Sequence, residues 1–362
     1  MGLRICILGA GGLGSLVGGW LAESGVRVTL VGRPAHVEAI RERGLIISGI
    51  RGARNVRSGL EAVASAEEAR GPFDLLVLCV KARDTAAALD AARGLREETR
   101  LALSLQNTIT KDDALADWIG RQRVIGASTT EAGTLEGHGR VRHVATAPTA
   151  FYFGELDGAI STRVAALVDA FTKAGFPAKQ AADIQHVEWE KLLQISVLST
   201  WSVSTMGMMP GGSVAEALVV RDAAEHYVAI AQELLAVYRA LPYEPQDFFH
   251  PFSRFRELGR QSFDEAVAGM QAQGQRMLDE GVVGRPSLHV DLLRGKPTEL
   301  EYCVAPFLAE ADRMGLPVPT ARAGYRIIRA LEQMLKLGDG SMRMMGLTLM
   351  VLGLLVAYVS LH

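Results

Sequence analysis

The chain has 362 residues, with 38 Lys and Arg against 40 Asp and Glu, and its formal net charge at pH 7 is −2. A chain of this length exceeds one ordinary hydrophobic core, so two domains are the natural expectation. The balanced charge excludes the strongly basic surface that typically binds nucleic acid. We therefore expect two domains and no nucleic-acid partner.

The cysteines and histidines indicate neither disulfides nor a metal site. Cys6, Cys79 and Cys303 share no short spacing, and the eight histidines show no metal-ligand spacing with Cys or carboxylates. A sparse, odd cysteine count is typical of a reducing compartment. The apolar run from Ile5 leads into glycines rather than to a cleavage site, so we expect no signal peptide and cytoplasmic catalytic domains.

The first half of the chain alternates between predicted strands and helices. Short apolar runs predict buried strands at residues 4–9, 26–31, 74–80 and 100–105. Helical spacing occurs between them, at residues 35–43 and 85–95. This alternation is typical of βαβ units, which build a doubly wound parallel sheet, the Rossmann arrangement. A further strand-rich stretch, residues 141–153, is expected to complete the domain with antiparallel strands.

A glycine-rich turn follows the first predicted strand and opens a helix that ends at Gly25. It has the pattern GxGxxG, formed by Gly9, Ala10, Gly11, Gly12, Leu13 and Gly14. In such a turn the first glycine allows a tight bend, the second lets the backbone approach a pyrophosphate, and the third lets the helix pack on the sheet. A glycine turn without a ligand is the alternative, but the strand and helix around the motif favour a dinucleotide site.

The end of the second predicted strand bears on which nicotinamide cofactor is used. An NAD enzyme usually places Asp or Glu there for the ribose 2′-hydroxyl. This chain has Val31-Gly32-Arg33 instead, and a guanidinium can pair with a 2′-phosphate. A merely solvated Arg33 is the alternative; we expect NADP(H).

The second half of the chain has a helical pattern. Helical spacing extends over residues 187–205, 214–240, 252–279 and 298–335, with breaks at 210–212 and 242–245. We therefore predict an NADP-binding Rossmann domain at 1–184 and an α-helical substrate and dimerisation domain at 185–335, with a homodimer as one expected assembly. Residues 336–362 form an apolar tail.

The tail contains an uncharged run at residues 344–361. As a helix it would reach about 27 Å, just short of a hydrocarbon core of about 30 Å. The run is either a membrane anchor, with the cationic flank on the cytoplasmic side, or a terminal helix packed against its own domain or a partner subunit.

Several short motifs, taken in order, resemble the ketopantoate reductase family. They are the GAGGLG turn, Gly32-Arg33, Val80-Lys81, Leu105-Gln106-Asn107, Trp189-Glu190-Lys191-Leu192, and Thr298-Glu299 with Ser287 before it. The resemblance covers residues 3–335. It implies a Rossmann domain followed by a helical domain like the C-terminal domain of 6-phosphogluconate dehydrogenase, and NADPH-dependent reduction of 2-dehydropantoate to pantoate in pantothenate biosynthesis.

The resemblance also implies roles for single residues. Lys191 matches the catalytic lysine, which as general acid would protonate the alkoxide left by hydride transfer, and Glu299 would hold its ammonium in place. Asn107 would lie near nicotinamide and substrate, and Lys81 at the mouth of the cofactor cleft. Ser287 would bind the substrate carboxylate. Without the resemblance, Lys191 would be a solvated lysine, Glu299 an ordinary residue at a helix start, and Ser287 a loop or capping serine.

The chain departs from the family pattern at positions that bear on the substrate. Where the family has asparagines four and eight residues after the catalytic lysine, this chain has Ile195 and Ser199, and Ser199 is the remaining polar candidate for substrate binding. Thr108 replaces a glycine, and Met209 replaces a third asparagine. Loss of a buried hydrogen-bond partner typically costs about 1–3 kcal/mol. Two alternatives therefore remain beside ketopantoate reduction: a paralogous NADPH reductase of a more apolar ketone or imine, and a noncatalytic membrane-tethered NADP sensor.

Overall fold

The computed structural model describes residues 2–209, 211–282 and 284–337. Its strands are β1 (Arg4–Leu8), β2 (Arg27–Val31), β3 (Leu45–Gly49), β4 (Arg54–Val56), β5 (Leu60–Val63), β6 (Phe73–Leu78), β7 (Thr99–Ser104), β8 (Ile125–Thr129), β9 (Ala132–Gly137), β10 (Arg140–Ala145), β11 (Phe151–Glu155) and β12 (Ala178–Gln180). Its α-helices are α1 (Gly12–Glu23), α2 (Pro34–Arg43), α3 (Thr85–Ala91), α4 (Lys111–Ile119), α5 (Thr162–Lys173), α6 (Ile184–Met206), α7 (Val214–Leu218), α8 (Arg221–Ala240), α9 (Phe255–Leu258), α10 (Phe263–Asp279), α11 (Ser287–Leu293), α12 (Leu300–Cys303), α13 (Ala305–Met314) and α14 (Pro319–Lys336).

The chain divides into two compact units, and each unit is built from three separate segments of the chain. Among the described residues, the first unit comprises 2–196, 235–261 and 301–307, and the second comprises 197–234, 262–300 and 308–337. The change of unit falls inside α6, whereas the sequence-based division was placed at its start, between residues 184 and 185. Helical periodicity locates an element in the chain, but it does not tell which core each turn of that element joins.

The first unit contains the predicted parallel sheet. The strand order is β5-β2-β1-β6-β7, and every neighbouring pair is parallel. The four predicted strands correspond to β1, β2, β6 and β7, and each is buried along most of its length. Continuous aliphatic runs are typical of strands covered on both faces, which is why these four were readable from the sequence. The predicted Rossmann fold is confirmed.

The prediction for residues 141–153 needs a correction. This stretch holds two strands that belong to different sheets. Strand β10 lies in the sheet β4-β3-β10-β9, and β11 lies in the sheet β12-β11-β8. Each has one antiparallel and one parallel neighbour, so the domain is not completed by antiparallel strands alone. Helix α5, which begins at the Ser161 N-cap, was also missed.

The helical pattern of the second half is confirmed: α6 covers the whole of the predicted stretch 187–205, but the three later stretches are each divided into shorter helices. The stretch 252–279 is interrupted between α9 and α10, where Ser262 and Glu265 form a capping box that starts a new helix. The stretch 298–335 is divided into α12, α13 and α14, with Gly315 at φ +66° after α13 and Pro319 as the first residue of α14. A short break also separates α7 from α8.

The second unit is held together around α6 and α8 by polar contacts as well as apolar packing. Trp201 is fully buried, and its Nε1 donates a 2.7 Å hydrogen bond to the carbonyl of Ala223. The start of α14 is capped by Glu233, whose carboxylate accepts from the backbone N–H groups of Thr320 and Ala321, both at 2.9 Å. A carboxylate at a helix N-terminus satisfies donors that have no partner within the helix.

Over the part of the chain that the structure describes, no helix is both long and apolar enough to cross a membrane. The predicted anchor at residues 344–361 lies outside those residues.

Candidate active site

The glycine turn has the geometry that its motif predicts. Gly9 adopts φ +115°, a conformation that side chains other than glycine rarely adopt. A Cβ on Gly14 would strike the carbonyl oxygen of Gly9, and one on Gly12 would strike the carbonyl oxygen of Gly133 in β9. A Cβ on Gly11 would meet no protein atom within 4 Å. Gly12 and Gly14 are therefore closely packed against neighbouring backbone, whereas the turn is open at Gly11.

Helix α1 begins at this opening. Its N-cap is Gly11, which offers no side-chain hydrogen bond to the first N–H groups of the helix. Uncapped N–H groups and the positive end of the helix dipole suit a phosphate group. The open side of the turn can therefore accept the pyrophosphate of a dinucleotide.

The end of β2 places Arg33 at the surface next to this turn. Arg33 is exposed and is the N-cap residue of α2, while Ala10 N donates to the carbonyl of Val31 at 2.8 Å. Burial is the main reason why the pKa of the nearby His36 lies below its ordinary value, so the ring is neutral at pH 7. Its Nδ1 then accepts from Gly139 N, and its Nε2–H donates to Ser15 Oγ, both at 3.0 Å.

The loops after β6 and β7 are joined by Gln106. This buried side chain donates to the carbonyl of Val80 at 3.0 Å and to Thr85 Oγ1 at 2.7 Å, and it accepts from Ser104 Oγ at 2.9 Å. Lys81 follows Val80 directly, and Asn107 follows Gln106. The two predicted site residues therefore lie in loops that Gln106 ties together at the carboxyl ends of parallel strands, where ligands of open α/β sheets gather.

Lys191 lies on α6 as predicted, and it is partly buried. Burial lowers the pKa of its amine from the ordinary 10.5 to about 8. Its Nζ lies 5.5 Å from the centre of the Phe249 ring. The neighbouring Glu190 accepts from the backbone N–H groups of Gln246, at 2.6 Å, and Phe248, at 2.8 Å, and so fixes the segment that carries Phe249.

A pocket in the first unit brings Lys191 and Asn107 together. Its lining is formed by residues from the loop after β7, from the start of α4, from β8 and from α6, namely Leu105, Gln106, Asn107, Thr108, Lys111, Ser128, Thr129, Glu188, Lys191, Leu192 and Ile195. Ile195, which stands where the family resemblance implies an asparagine, therefore lines the pocket. It lies on α6, one helical turn after Lys191. Thr108, where the family has glycine, lines it as well.

Two charged residues of this lining were not predicted. Lys111 is buried, and its Nζ lies 2.8 Å from Asp112 Oδ1 and 2.5 Å from Glu188 Oε1. The sequence signal was weak: Glu188 could have been picked from its position three residues before Lys191, but a lysine followed by two aspartates is typical of a solvated helix start.

The remaining predicted residues belong to the second unit. Ser199 is buried on α6, Ser287 is the first residue of α11, and Glu299 directly precedes α12. Met209 lies after α6 and is 57% exposed. The roles given to Ser199, Ser287 and Glu299 stay predictions.

Within the described ranges, no group of three or more His, Cys, Asp or Glu side chains is placed to hold a metal ion.

The parallel sheet, the glycine turn and the lysine–asparagine pocket at the strand ends are typical of a nicotinamide-dependent oxidoreductase. Comparison with protein families agrees. The model described as ketopantoate reductase PanE/ApbA matches residues 5–158, and that of its C-terminal part matches residues 183–332. The chain belongs to the ketopantoate reductase family, and it is a pyridine-nucleotide-dependent reductase.

Similar proteins cover nearly the whole chain. The 2-dehydropantoate 2-reductase of Archaeoglobus fulgidus is 27% identical over 330 residues, which are 91% of this chain and 98% of that protein. The corresponding protein of Pyrococcus horikoshii is 27% identical over 94% of this chain and 100% of its own. These relatives extend the likeness through both units.

Solved structures share the fold. A PanE/ApbA family ketopantoate reductase from Ralstonia eutropha has a TM-score of 0.73 at 25% identity, covering 92% of this chain and 100% of its own. A D-mandelate dehydrogenase solved with NADH and anilino(oxo)acetate has a TM-score of 0.71 at 20% identity, with 92% and 100% covered.

A further family model matches the C-terminal segment. Residues 320–360 match an uncharacterized protein family conserved in bacteria, DUF2065. This match begins within α14 and continues through the predicted anchor.

Proposed function

We propose that the protein reduces a 2-oxo acid with NADPH, that its substrate is 2-dehydropantoate, and that Lys191 is the general acid. The observation that carries the proposal is the shared pocket of Lys191 and Asn107 at the carboxyl ends of the parallel strands. A lysine whose pKa is about 8 is mostly protonated at neutral pH yet a stronger acid than a solvated lysine.

The reaction needs a proton and a positive charge beside the substrate oxygen. NADPH, when bound, supplies the hydride that reaches the carbonyl carbon. The carbonyl oxygen then becomes an alkoxide, and the Nζ of Lys191 donates a proton to it, which yields the 2-hydroxy acid. The amide of Asn107 is available to orient the carbonyl, and the Phe249 ring, together with the burial of Lys191, limits its contact with water.

The choice of NADPH rests on the end of β2. Arg33 is exposed beside the glycine turn, and the sequence Val31-Gly32-Arg33 provides no carboxylate there for the ribose 2′-hydroxyl. A guanidinium stabilises a 2′-phosphate, whereas a carboxylate would repel it. We therefore expect NADPH to be preferred over NADH.

Ile195 favours a second candidate, a more apolar 2-oxo acid. Its side chain lines the pocket one helical turn from Lys191, at a position where the family resemblance implies an asparagine. An apolar wall stabilises a hydrocarbon substituent and offers no hydrogen bond to the hydroxyl of 2-dehydropantoate.

Steady-state turnover of the full chain separates the two candidates. NADPH and NADH oxidation would be followed by nicotinamide absorbance with 2-dehydropantoate and with benzoylformate as the apolar 2-oxo acid. We expect saturable NADPH oxidation with 2-dehydropantoate, and a loss of roughly 10²–10⁴-fold in kcat for Lys191→Ala with NADPH affinity unchanged.

The matched control is Lys173→Ala, which removes an exposed lysine on α5. A higher kcat/KM for benzoylformate would replace 2-dehydropantoate by the second candidate. Full turnover in Lys191→Ala would refute the role of Lys191.

A further inference from the structure

The wall of the pocket contains an ion cluster that the proposed reaction does not use. Lys111 is only 3% exposed, and its Nζ contacts Asp112 Oδ1 at 2.8 Å and Glu188 Oε1 at 2.5 Å. Both carboxyl groups are buried as well. A buried cation with two carboxyl partners is costly to assemble from water, so its location beside the candidate general acid requires an explanation.

The cluster connects the two elements that carry Asn107 and Lys191. Lys111 is the first residue of α4, four positions after Asn107, and Glu188 stands on α6 three positions before Lys191. Residues three apart on a helix are neighbours on its surface, with Cβ atoms about 5–6 Å apart. Glu188 and Lys191 also line the same pocket. An unengaged Glu188 carboxyl would thus be within reach of the Lys191 ammonium.

Burial and the neighbouring charges shift the pKa values in this cluster in opposite directions for Lys111. Burial alone would lower the pKa of Lys111, but Asp112 and Glu188 outweigh it and raise that pKa, so the ammonium stays charged. Burial, with the Asp112 charge adding to it, raises the pKa of Glu188 well above its ordinary value. The Lys111 ammonium is therefore held between two buried carboxyl groups.

The other charged group beside Lys191 on α6 is already engaged. The carboxyl of Glu190 accepts from the backbone of Gln246 and Phe248, and its pKa is raised to about 7, mainly by burial. Burial is the cause of the lowered pKa of Lys191 itself. Removing Lys111 would therefore leave the Glu188 carboxyl without its cation in the pocket wall that Lys191 also lines.

We propose that Lys111 is a positioning residue for proton transfer: by binding Glu188 in the pocket wall, with Asp112 as its second partner, it keeps the Glu188 carboxyl from pairing with Lys191. The ammonium of Lys191 is then left to the substrate oxygen. The inference rests on the proposed role of Lys191 as general acid.

The test measures the pKa of Lys191 without relying on turnover. The full-length protein would be labelled with trace acetic anhydride across a pH series, and the extent of acetylation at Lys191 read by peptide mass spectrometry. For Lys111→Met we expect the pKa to rise by about 1 unit or more, since an opposite charge within about 4–6 Å favours the ammonium. The neutral variant Lys111→Met/Asp112→Asn/Glu188→Gln should return it to about the wild-type value of 8.

Turnover supplies the second readout. In Lys111→Met we expect kcat to fall by up to about tenfold, because a one-unit rise in the pKa makes Lys191 a weaker acid, while KM changes less than twofold. The basic limb of the pH profile should move to higher pH by the same shift as the labelling curve. Lys111→Arg, which keeps the cation, should recover most of the activity, and Lys173→Met serves as the lysine control.

An unchanged Lys191 pKa in folded Lys111→Met would overturn the inference, whatever the activity. If Lys111→Met does not fold, Lys111→Met/Asp112→Asn is compared with the neutral triple variant, which differs from it only at Glu188. Equal Lys191 pKa values in this pair would also overturn it. Failure of the proposed function can be distinguished from failure of this inference, because it would appear as turnover that survives in Lys191→Ala.

Discussion

Lys191 illustrates how a buried ionisable residue can lower the stability of the fold. Its pKa in the folded protein is about 8, against an ordinary value of 10.5. Below pH 8 the amine is protonated in both the folded and the unfolded state, and its burial as a cation is unfavourable. Between about pH 8 and 10.5 the unfolded state binds more protons, so the stability of the protein rises with pH in that window.

Replacing Lys191 by Met removes this cost. A shift of about 2.5 pKa units corresponds to about 3 kcal/mol, so we expect Lys191→Met to increase the free energy of unfolding at pH 7 by up to that amount while activity is lost. The gain should shrink as the pH approaches 10. Urea denaturation of both proteins at pH 7 and pH 10 provides the measurement. Equal stability at pH 7 would mean that the lysine is better solvated than its burial indicates.

The residue scale also separates what the sequence could predict from what it could not. Asn107 and Lys191, which line one pocket, could be predicted as site candidates because each lies in a short motif that resembles the family. Lys111 was missed because its partner Glu188 is 77 residues away, and nothing local distinguishes it from a surface lysine. Glu190 belongs to one of these motifs, but its partners Gln246 and Phe248 are 56 and 58 residues away in the sequence.

At the scale of elements, the glycine turn and α1 offer a matched pair of substitutions. A Cβ on Gly12 would collide with the backbone of Gly133 and lie 3.2 Å from Thr134 Cα, whereas a Cβ on Gly11 would meet no protein atom within 4 Å. We expect Gly12→Ala to destabilise the cofactor-free protein by about 1–3 kcal/mol, because α1 must move away from β9.

Gly11→Ala should leave the unfolding of the cofactor-free protein nearly unchanged but weaken NADPH binding at least about tenfold, because its Cβ would fill the approach to the pyrophosphate. Urea denaturation and NADPH fluorescence titration of the two variants test the pair. Tight NADPH binding by Gly11→Ala would contradict the placement of the pyrophosphate at this turn.

Element types were more predictable than element lengths. Four of the five strands of the parallel sheet could be predicted, since burial on both faces requires continuous aliphatic runs, whereas the short and half-buried β5 was not. Strands β3, β4 and β9 are short or partly exposed, and their patterns carry less signal. The division of 252–279 into α9 and α10 depends on a capping box at Ser262, whose serine and glutamate are common in loops and helices alike.

At the scale of the whole molecule, the tail is an addition to the family pattern. Residues 344–361 lie outside the described residues, and residues 320–360 match a second family model. If the uncharged run is the membrane anchor rather than a packed terminal helix, deletion of residues 338–362 should leave turnover unchanged and move the protein from the membrane fraction to the supernatant.

High-speed centrifugation of lysates, with activity assayed in both fractions, tests the deletion. A truncated protein that still sediments with membranes would contradict the anchor prediction.

The predicted homodimer is tested on the same truncated protein by light scattering after size-exclusion chromatography.

The sequence by itself determined the parallel sheet, the glycine turn, the helical second half and the family, because these depend on periodicity and on motifs within a few residues of each other. Only the tertiary structure decided that Ile195 faces the same pocket as Lys191 and Asn107, and that Lys111 is buried against Glu188. It also decided that the compact units divide inside α6. These features are contacts between distant segments, and a contact is selected by the packing of the whole core rather than by the residues on either side of it.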